Sequence, residues 1–337
     1  MKKLHEKFAR RSGGSPCCRG EVRKFGKRRR QCKICLKTWR VWKKKLGRRR
    51  SRNSLDLLFN YLDNSIGALS KYAPKRKLTP AALTYELRKS RDVFVKKTSW
   101  PDIPSGNLIA VADAMMQTAY GEIYTFYFIL LRAMDGKEAV ITPPFLLPGK
   151  ESRIGWQKTF GKLPKEARRR IFALVCDGHR GLVDIAKDHE LVLQRCHFHL
   201  RHSLANYIRT GPMSKNREVG LEIQKLVDIM LLEPDEKTVE KAFGDLVGFQ
   251  IIASSKGVRR VLSGFLKCYG DFRSYLYYPA MNLPITSNSM ESLINCIRSL
   301  QCKARGFRRI KSLDKWIAAI CKHKKRIACN GRNYQPN

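Results

Sequence analysis

The stretch IFALVCDGHRGLVDIAKDHELVLQRC, residues 171–196, decides the fold. It opens on an apolar run that closes on a carboxylate, Asp177. GLVDIAKDH follows with apolar positions at helical spacing, and LVLQRC is a second strand-like run. Strand, helix and strand in so short a span is the repeating unit of an α/β core. A buried strand that ends on an aspartate delivers an acid to the edge of its sheet, a placement that also occurs in many α/β proteins without any metal.

Upstream the same pattern recurs. NLIAVADAMM, EIYTFYFILLRAM and EAVITPP, between residues 107 and 144, read as three successive strands, with Asp135-Gly136 turning the second into the third. The first apolar run closes on Asp113. A single helix is expected over 152–172. Downstream, residues 199–280 read as mostly helical. The last segment, 287–329, reads as two helices separated by ARGFRRIKS. The first of these begins in TSNSMESLINCIRSL, where Thr286, Ser287, Asn288 and Ser289 are N-cap types and Glu291 falls in the first turn.

Two strand-end aspartates and a helical glutamate can converge on a pair of divalent cations. Magnesium takes hard oxygen ligands and keeps open positions for phosphate oxygens. Two such ions clamp the attacking and leaving oxygens of an in-line phosphoryl displacement. Asp177 and Glu291 are 114 positions apart. A shared site therefore requires the intervening helical block to loop out and return.

Charge names the partner class. The chain has 337 residues and a formal net charge of +40, enough length for two or three domains and far more charge than solubility needs. A polyanion is the simplest partner, because neutralising phosphates releases counterions. Residues 1–50 hold 21 Lys and Arg against two acids, a net of +19. Arg28, Arg29, Arg30, Lys43, Lys44, Arg48 and Arg49 form its densest clusters, and Phe25, Trp39 and Trp42 interleave with them. That mixture suits a small folded module lying on phosphate, although charge runs are also common on solvated tails.

Within that module CKIC at 32–35 is a well-formed knuckle, and SPCC at 15–18 is a defective one with serine in the first ligand position. Cys17, Cys18, Cys32 and Cys35 form a candidate zinc site, set against a ribbon held by packing alone. Residues 54–92 read as three helices, the last opened by Thr79-Pro80. They fit either a helix-turn-helix or a plain helical linker. Eleven cysteines and an N-terminus without an apolar core point to a reducing compartment. The longest apolar run, IYTFYFILL, is too short to span a bilayer. No membrane association is expected.

LVCDGHRGL, then QRCHFHLRHSL, then TSNSMESLINCIRSLQCKARGFRRI together resemble the Mutator-like group of insertion-sequence transposases, in its bacterial branch with an N-terminal zinc-binding segment. The resemblance covers roughly 105–325, with a looser match over 17–95, and it is the ordered set of strings that is specific. It implies a ribonuclease-H-like core interrupted by an all-helical insertion. It implies a DDE site in which Asp113, Asp177 and Glu291 hold two Mg²⁺ or Mn²⁺ ions, and it makes Cys196 and His199 the Cys-x-x-His pair of the family. VADAMM departs from the D-G-T common at the first acid, and SPCC departs from an intact knuckle. Cys196 and His199 are half a zinc site, with His197 and His202 nearby, or a structural pair that orients a carboxylate or phosphate.

The expected organisation is a zinc-ribbon-like module at 1–50, a helix-turn-helix at 51–95, the catalytic core at 105–200 and 283–330, and the helical insertion at 201–282. The expected function is recognition of terminal inverted repeats, then metal-dependent cleavage and strand transfer. Arg298 and Arg305 would grip phosphates near the cut. Double-stranded DNA, at transposon ends and target, is the expected partner, with the protein a homodimer or higher on DNA, in the cytoplasm at the nucleoid. Two alternatives remain from the sequence. One is a domesticated or inactive transposase that only binds DNA; the other is an RNA-binding or RNA-processing protein on the same core.

Overall fold

The computed structural model describes residue 18 and residues 21–25, 29–40, 54–63, 68–209, 217–252, 256–304, 307 and 309–330. The chain divides into two compact units, Met1–Asn53 and Ser54–Asn337. Cys17, Arg28, Lys43, Lys44, Arg48, Arg49 and Arg305 lie outside the described residues.

The first unit contains a three-stranded antiparallel sheet, β1 (Val22–Lys24), β2 (Arg29–Cys32) and β3 (Thr38–Arg40). Arg29 and Arg30 are exposed on β2. The CKIC turn joins β2 to β3 and brings Cys18, Cys32 and Cys35 together, their sulfurs within 4.8 Å of one another. Cys18 and Cys32 are 3.3 Å apart. Three thiols so placed can hold a zinc ion that takes a fourth ligand from elsewhere.

The second unit begins with helices α1 (Ser54–Leu62), α2 (Leu69–Tyr72) and α3 (Pro80–Lys97). Thr79 caps α3, its hydroxyl accepting from the Ala82 N–H at 3.2 Å. A mixed seven-stranded sheet follows: β4 (Leu108–Ala119), β5 (Glu122–Ala133), β6 (Glu138–Ile141), β7 (Phe145–Pro148), β8 (Ile171–Cys176), β9 (Val192–Arg195) and β10 (Arg326–Ala328). The main order is β10-β6-β5-β4-β8-β9, with β7 paired to β5. β4, β5 and β6 are antiparallel neighbours; β8 and β9 run parallel to β4.

Helices cover both faces. α4 (Arg153–Lys162), α5 (Lys165–Arg169) and α6 (Arg180–Asp188) lie on one. After β9 come α7 (His197–Arg209), α8 (Arg217–Leu232), α9 (Glu236–Ile252), α10 (Lys256–Leu266) and α11 (Tyr269–Tyr277), then α12 (Asn288–Lys303) and α13 (Ile310–Lys324). The strands alternate as a two-sided sheet must. Ile109, Val111, Phe126, Phe128 and Val175 join α1, α3, α12 and α13 in one apolar cluster. Leu108, Ala110, Tyr127, Ile129 and Leu174 join α4, α5 and α6 in another. The block α7–α11 has its own core around Leu204, Met230, Leu246 and Leu262.

Three expectations need correction. β4 does not stop at Asp113 but runs six residues further, because β5 continues to pair with it as far as Ala119↔Glu122. The helix expected over 152–172 is two helices, broken at Leu163-Pro164, where proline has no N–H to donate and its ring displaces the preceding turn. Residues 326–328, expected only as the end of a helical segment, form the edge strand β10 against β6. The helices of 54–97 pack inside the second unit, where Leu57, Leu83 and Leu87 share a cluster with Trp316 and Ile320 of α13.

Candidate active site

The sheet brings the two aspartates side by side. Val111 of β4 pairs with Val175 of β8, and two residues further along each chain stand Asp113 and Asp177. Asp113 is held mid-strand while β8 has already ended, so its carboxylate faces the space that opens beyond the parallel pair. The Ala114 N–H donates to Asp113 Oδ1 at 2.7 Å, and the His179 N–H donates to Asp177 Oδ1 at 2.8 Å.

Both glycines of the DGHRG string have steric reasons. Gly178 takes φ +91°, and a side chain there would collide with the Arg195 guanidinium. Gly181, the second residue of α6, packs against the backbone of Arg153, where a Cβ would meet N and Cα at 2.9 Å. Arg195 lies 4.9 Å from the Phe272 ring centroid, pinning the turn after Asp177 to the helical block.

Glu291 arrives from the far end of the chain. α12 begins after Ser287, as its residue types predict, but the Ser287 side chain does not cap it. Instead the Ser287 N–H and Oγ engage Cys196 Sγ at 3.2 and 3.3 Å. Cys196 also donates its backbone N–H to Cys176 O at 2.8 Å, and His197 donates its N–H to Ile285 O at 2.9 Å. The Cys-x-x-His segment is thus the junction that ties the strand of Asp177 to the helix of Glu291. The imidazole Nε2 of His197 contacts Phe272 O at 2.7 Å, and burial first of all lowers its pKa to about 4. Its other nitrogen, Nδ1, is buried with no hydrogen-bond partner among the described residues.

Asp113, His199 and Glu291 present ligand atoms within 4.8 Å of one another. Burial, then the charge of Asp177, raise the Asp113 carboxyl to about 7. The Cys196 sulfur beside His199 is the largest influence raising that imidazole to about 9, with Asp113 and Asp177 adding to it. The thiol of Cys196 is pushed up by burial, but His199 and Ser287 outweigh this and leave it lowered. His199 Nδ1 is buried with no hydrogen-bond partner among the described residues. Arg298, two turns further along α12, stands 3.6 Å from Glu291.

A further acid joins the group without any sequence signal. Glu151, in the loop after β7, accepts from Trp156 Nε1 at 2.8 Å and lies 3.3 Å from His179 Nδ1. Burial, chiefly, raises its carboxyl, and its charge is felt by Asp113. Nothing in the string PGKES marks it, because its place is set by the return of β7 across the sheet. The cluster opens onto two clefts. One, of about 540 Å³, is lined by Phe198, Glu291 and Asn295; the other, of about 340 Å³, by Asp177, Arg195, His199 and Arg260.

The geometry can hold hard cations. Asp113 and Glu291, with His199, form a compact set of ligand atoms; Asp177 neighbours Asp113 but stands outside that set. No helix among the described residues is long and apolar enough to cross a membrane. A family model described as Transposase, Mutator family, matches residues 130–326, a span that includes Asp177, Cys196, His199 and Glu291 and begins after Asp113. No curated protein matches the chain.

Proposed function

We propose, from the premise that this chain belongs to the Mutator family of transposases, that it cuts and joins DNA at the ends of an insertion sequence through Asp113, Asp177 and Glu291. One observation carries the reading: Asp177 stands beside Asp113 at the end of a parallel strand pair, and Asp113 meets Glu291, from much later in the chain, with ligand atoms within 4.8 Å. The order β6-β5-β4-β8-β9, antiparallel through its first three strands and parallel beyond, supports a ribonuclease-H-like core. The block α7–α11, leaving after β9 and returning before α12, supports the helical insertion.

Asp113, Asp177 and Glu291 are the residues that would hold Mg²⁺ or Mn²⁺ ions, whose hard oxygen preference they match. Bound there, such ions supply Lewis acidity to the scissile phosphate and to the attacking and leaving oxygens. The rest belongs to the chain. Arg298 is exposed beside Glu291 and neutralises a phosphate oxygen of the entering strand. Without cations the imidazole of His199, raised to about 9 first by Cys196 and further by Asp113 and Asp177, offsets the crowding of the carboxylates. Ser287 and Cys196 hold Glu291 in register with β8. In the first step water attacks the phosphorus and the P–O3′ bond breaks, leaving a 3′-hydroxyl on the element. In the second that hydroxyl oxygen attacks a target phosphodiester, and the target's own 3′-oxygen leaves with a proton.

The basic N-terminal unit, with its Cys18, Cys32 and Cys35 cluster as a zinc-ribbon-like module, and helices α1–α3 as a helix-turn-helix would bind the terminal inverted repeats. Pairing two ends calls for a dimer or higher assembly on DNA. The test is Asp177→Asn. Cleavage and strand transfer should vanish while DNA affinity stays the same or rises slightly. The wild type should work with magnesium or manganese and not with calcium, whose looser, larger shell does not fix the in-line geometry. Cutting that persists in the Asp177→Asn variant would sink the assignment.

A further inference from the structure

The β4–β5 hairpin turns through two residues, Tyr120 and Gly121, both at positive φ, 52° and 80°. That is a type I′ turn, whose first position favours Asn, Asp or Gly. A tyrosine there is strained, and it buries nothing in return: Tyr120 is 76% exposed. Tyr120 lines a groove of about 1080 Å³ between α1, α2, α3, α13 and the end of α12.

The groove is strongly cationic. Arg88, Arg91, Lys303, Arg309, Lys311 and Lys315 line it, and no acidic side chain among the described lining residues does. Arg91 is engaged by Asp92 at 2.6 Å and stacks on Trp316. Lys303 Nζ is buried without a hydrogen-bond partner among the described residues, and burial lowers its pKa. Thr84, Arg88 and Arg91 put one face of α3 into the groove.

Two rigid elements connect this groove to the acids. Along β4, Tyr120 is seven residues beyond Asp113; along α12, Lys303 is twelve beyond Glu291. At strand and helix rise these are about 23 and 18 Å, or roughly six base pairs of duplex. Gln301 Nε2 donates to Gln117 Oε1 at 2.7 Å, clamping the two elements together near the groove.

We propose that the groove and its tyrosine form a second DNA-holding station, about six base pairs from the cut, in which the cations take phosphates and Tyr120 stacks on a displaced base. This rests on the reading of the chain as a DNA-acting transposase. Aromatic stacking on an unpaired base is sequence-tolerant, so the station grips DNA wherever the duplex is open or distorted.

The experiment uses the full chain, labelled mixed-sequence duplexes that are fully paired or carry one mismatch, and single-stranded RNA of the same sequence. Wild type should prefer the mismatched duplex. Tyr120→Asn should lose about tenfold on it and show no preference, while its Tm rises by about 2–4 °C because asparagine suits the turn. Arg88→Ala with Lys311→Ala should lower the slope of log affinity against log salt by about 2. Unchanged affinities in Tyr120→Asn would overturn the proposal. So would a loss of affinity with a lower Tm, which would make the tyrosine a prop of the hairpin. Tighter binding of the wild type to the RNA would also overturn it. If wild type binds none of the DNA probes, the transposase reading itself falls first.

Discussion

At the scale of single residues, Asp113 carries the most testable chemistry. Its carboxyl is raised to about 7, chiefly by burial and then by Asp177. Below about pH 4 it is protonated in both folded and unfolded chains. Between about 4 and 7 the folded chain keeps a proton that the unfolded chain releases, so stability falls as pH rises, and above about 7 the whole cost is present. In metal-free protein Asp113→Asn should therefore raise Tm by about 4 °C at about pH 8 and leave it unchanged at about pH 4. Equal shifts at both pH values would mean that the effect is packing, not charge. Magnesium should stabilise the wild type and not the variant, and bind more tightly as pH rises towards about 7 and then level off, since below that pH a proton must leave first. The three acids of the proposed site are legible in the sequence because each ends or begins a patterned string. Glu151 is not, since neither its burial nor its contact with His179 follows from its neighbours in the chain.

At the scale of elements, the strand-helix-strand unit at 171–196 was legible because its periodicities are unmixed and its glycines sit at the turn. The glycines now have separate jobs, and the second makes a prediction. A methyl group at 181 would stand 2.9 Å from the Arg153 N and Cα, backbone atoms that cannot swing away. Gly181→Ala should push α6 off α4 and cost about 1–3 kcal/mol, read as a lower urea midpoint with an unchanged m-value. It should also cut the rate, because α6 starts at Arg180, directly after the turn that holds Asp177. A neutral substitution would show that α4 can yield. The misreadings have physical causes as well. β4 runs past Asp113 because pairing with β5, not local pattern, ends a strand. β10 was hidden because a three-residue edge strand has no periodicity of its own. Ser287 was rightly placed before a helix, yet its hydroxyl serves Cys196, a partner 91 residues away.

At the scale of the whole molecule, charge and division into units matter most. The two units cluster separately, so removing residues 1–53 should leave the Tm of the remainder within about 1 °C. The same deletion should lower affinity for every duplex and flatten its salt dependence by several units of slope. A retained slope would show that the basic segment does not lie on DNA. The composition announced a polyanion, but not that basic side chains of α3 and α13 line one groove; that required five helices and a hairpin tip to be brought together by packing. The late position of Glu291 has a consequence in time. A ribosome releases the chain from its N-terminus, so the basic unit, then the helices of 54–97, then Asp113 and Asp177 emerge before the third acid. Another 114 residues, including the whole helical block, must be made and folded before the acids meet. Under the proposed function, a nascent chain would be able to hold DNA well before it could cut it.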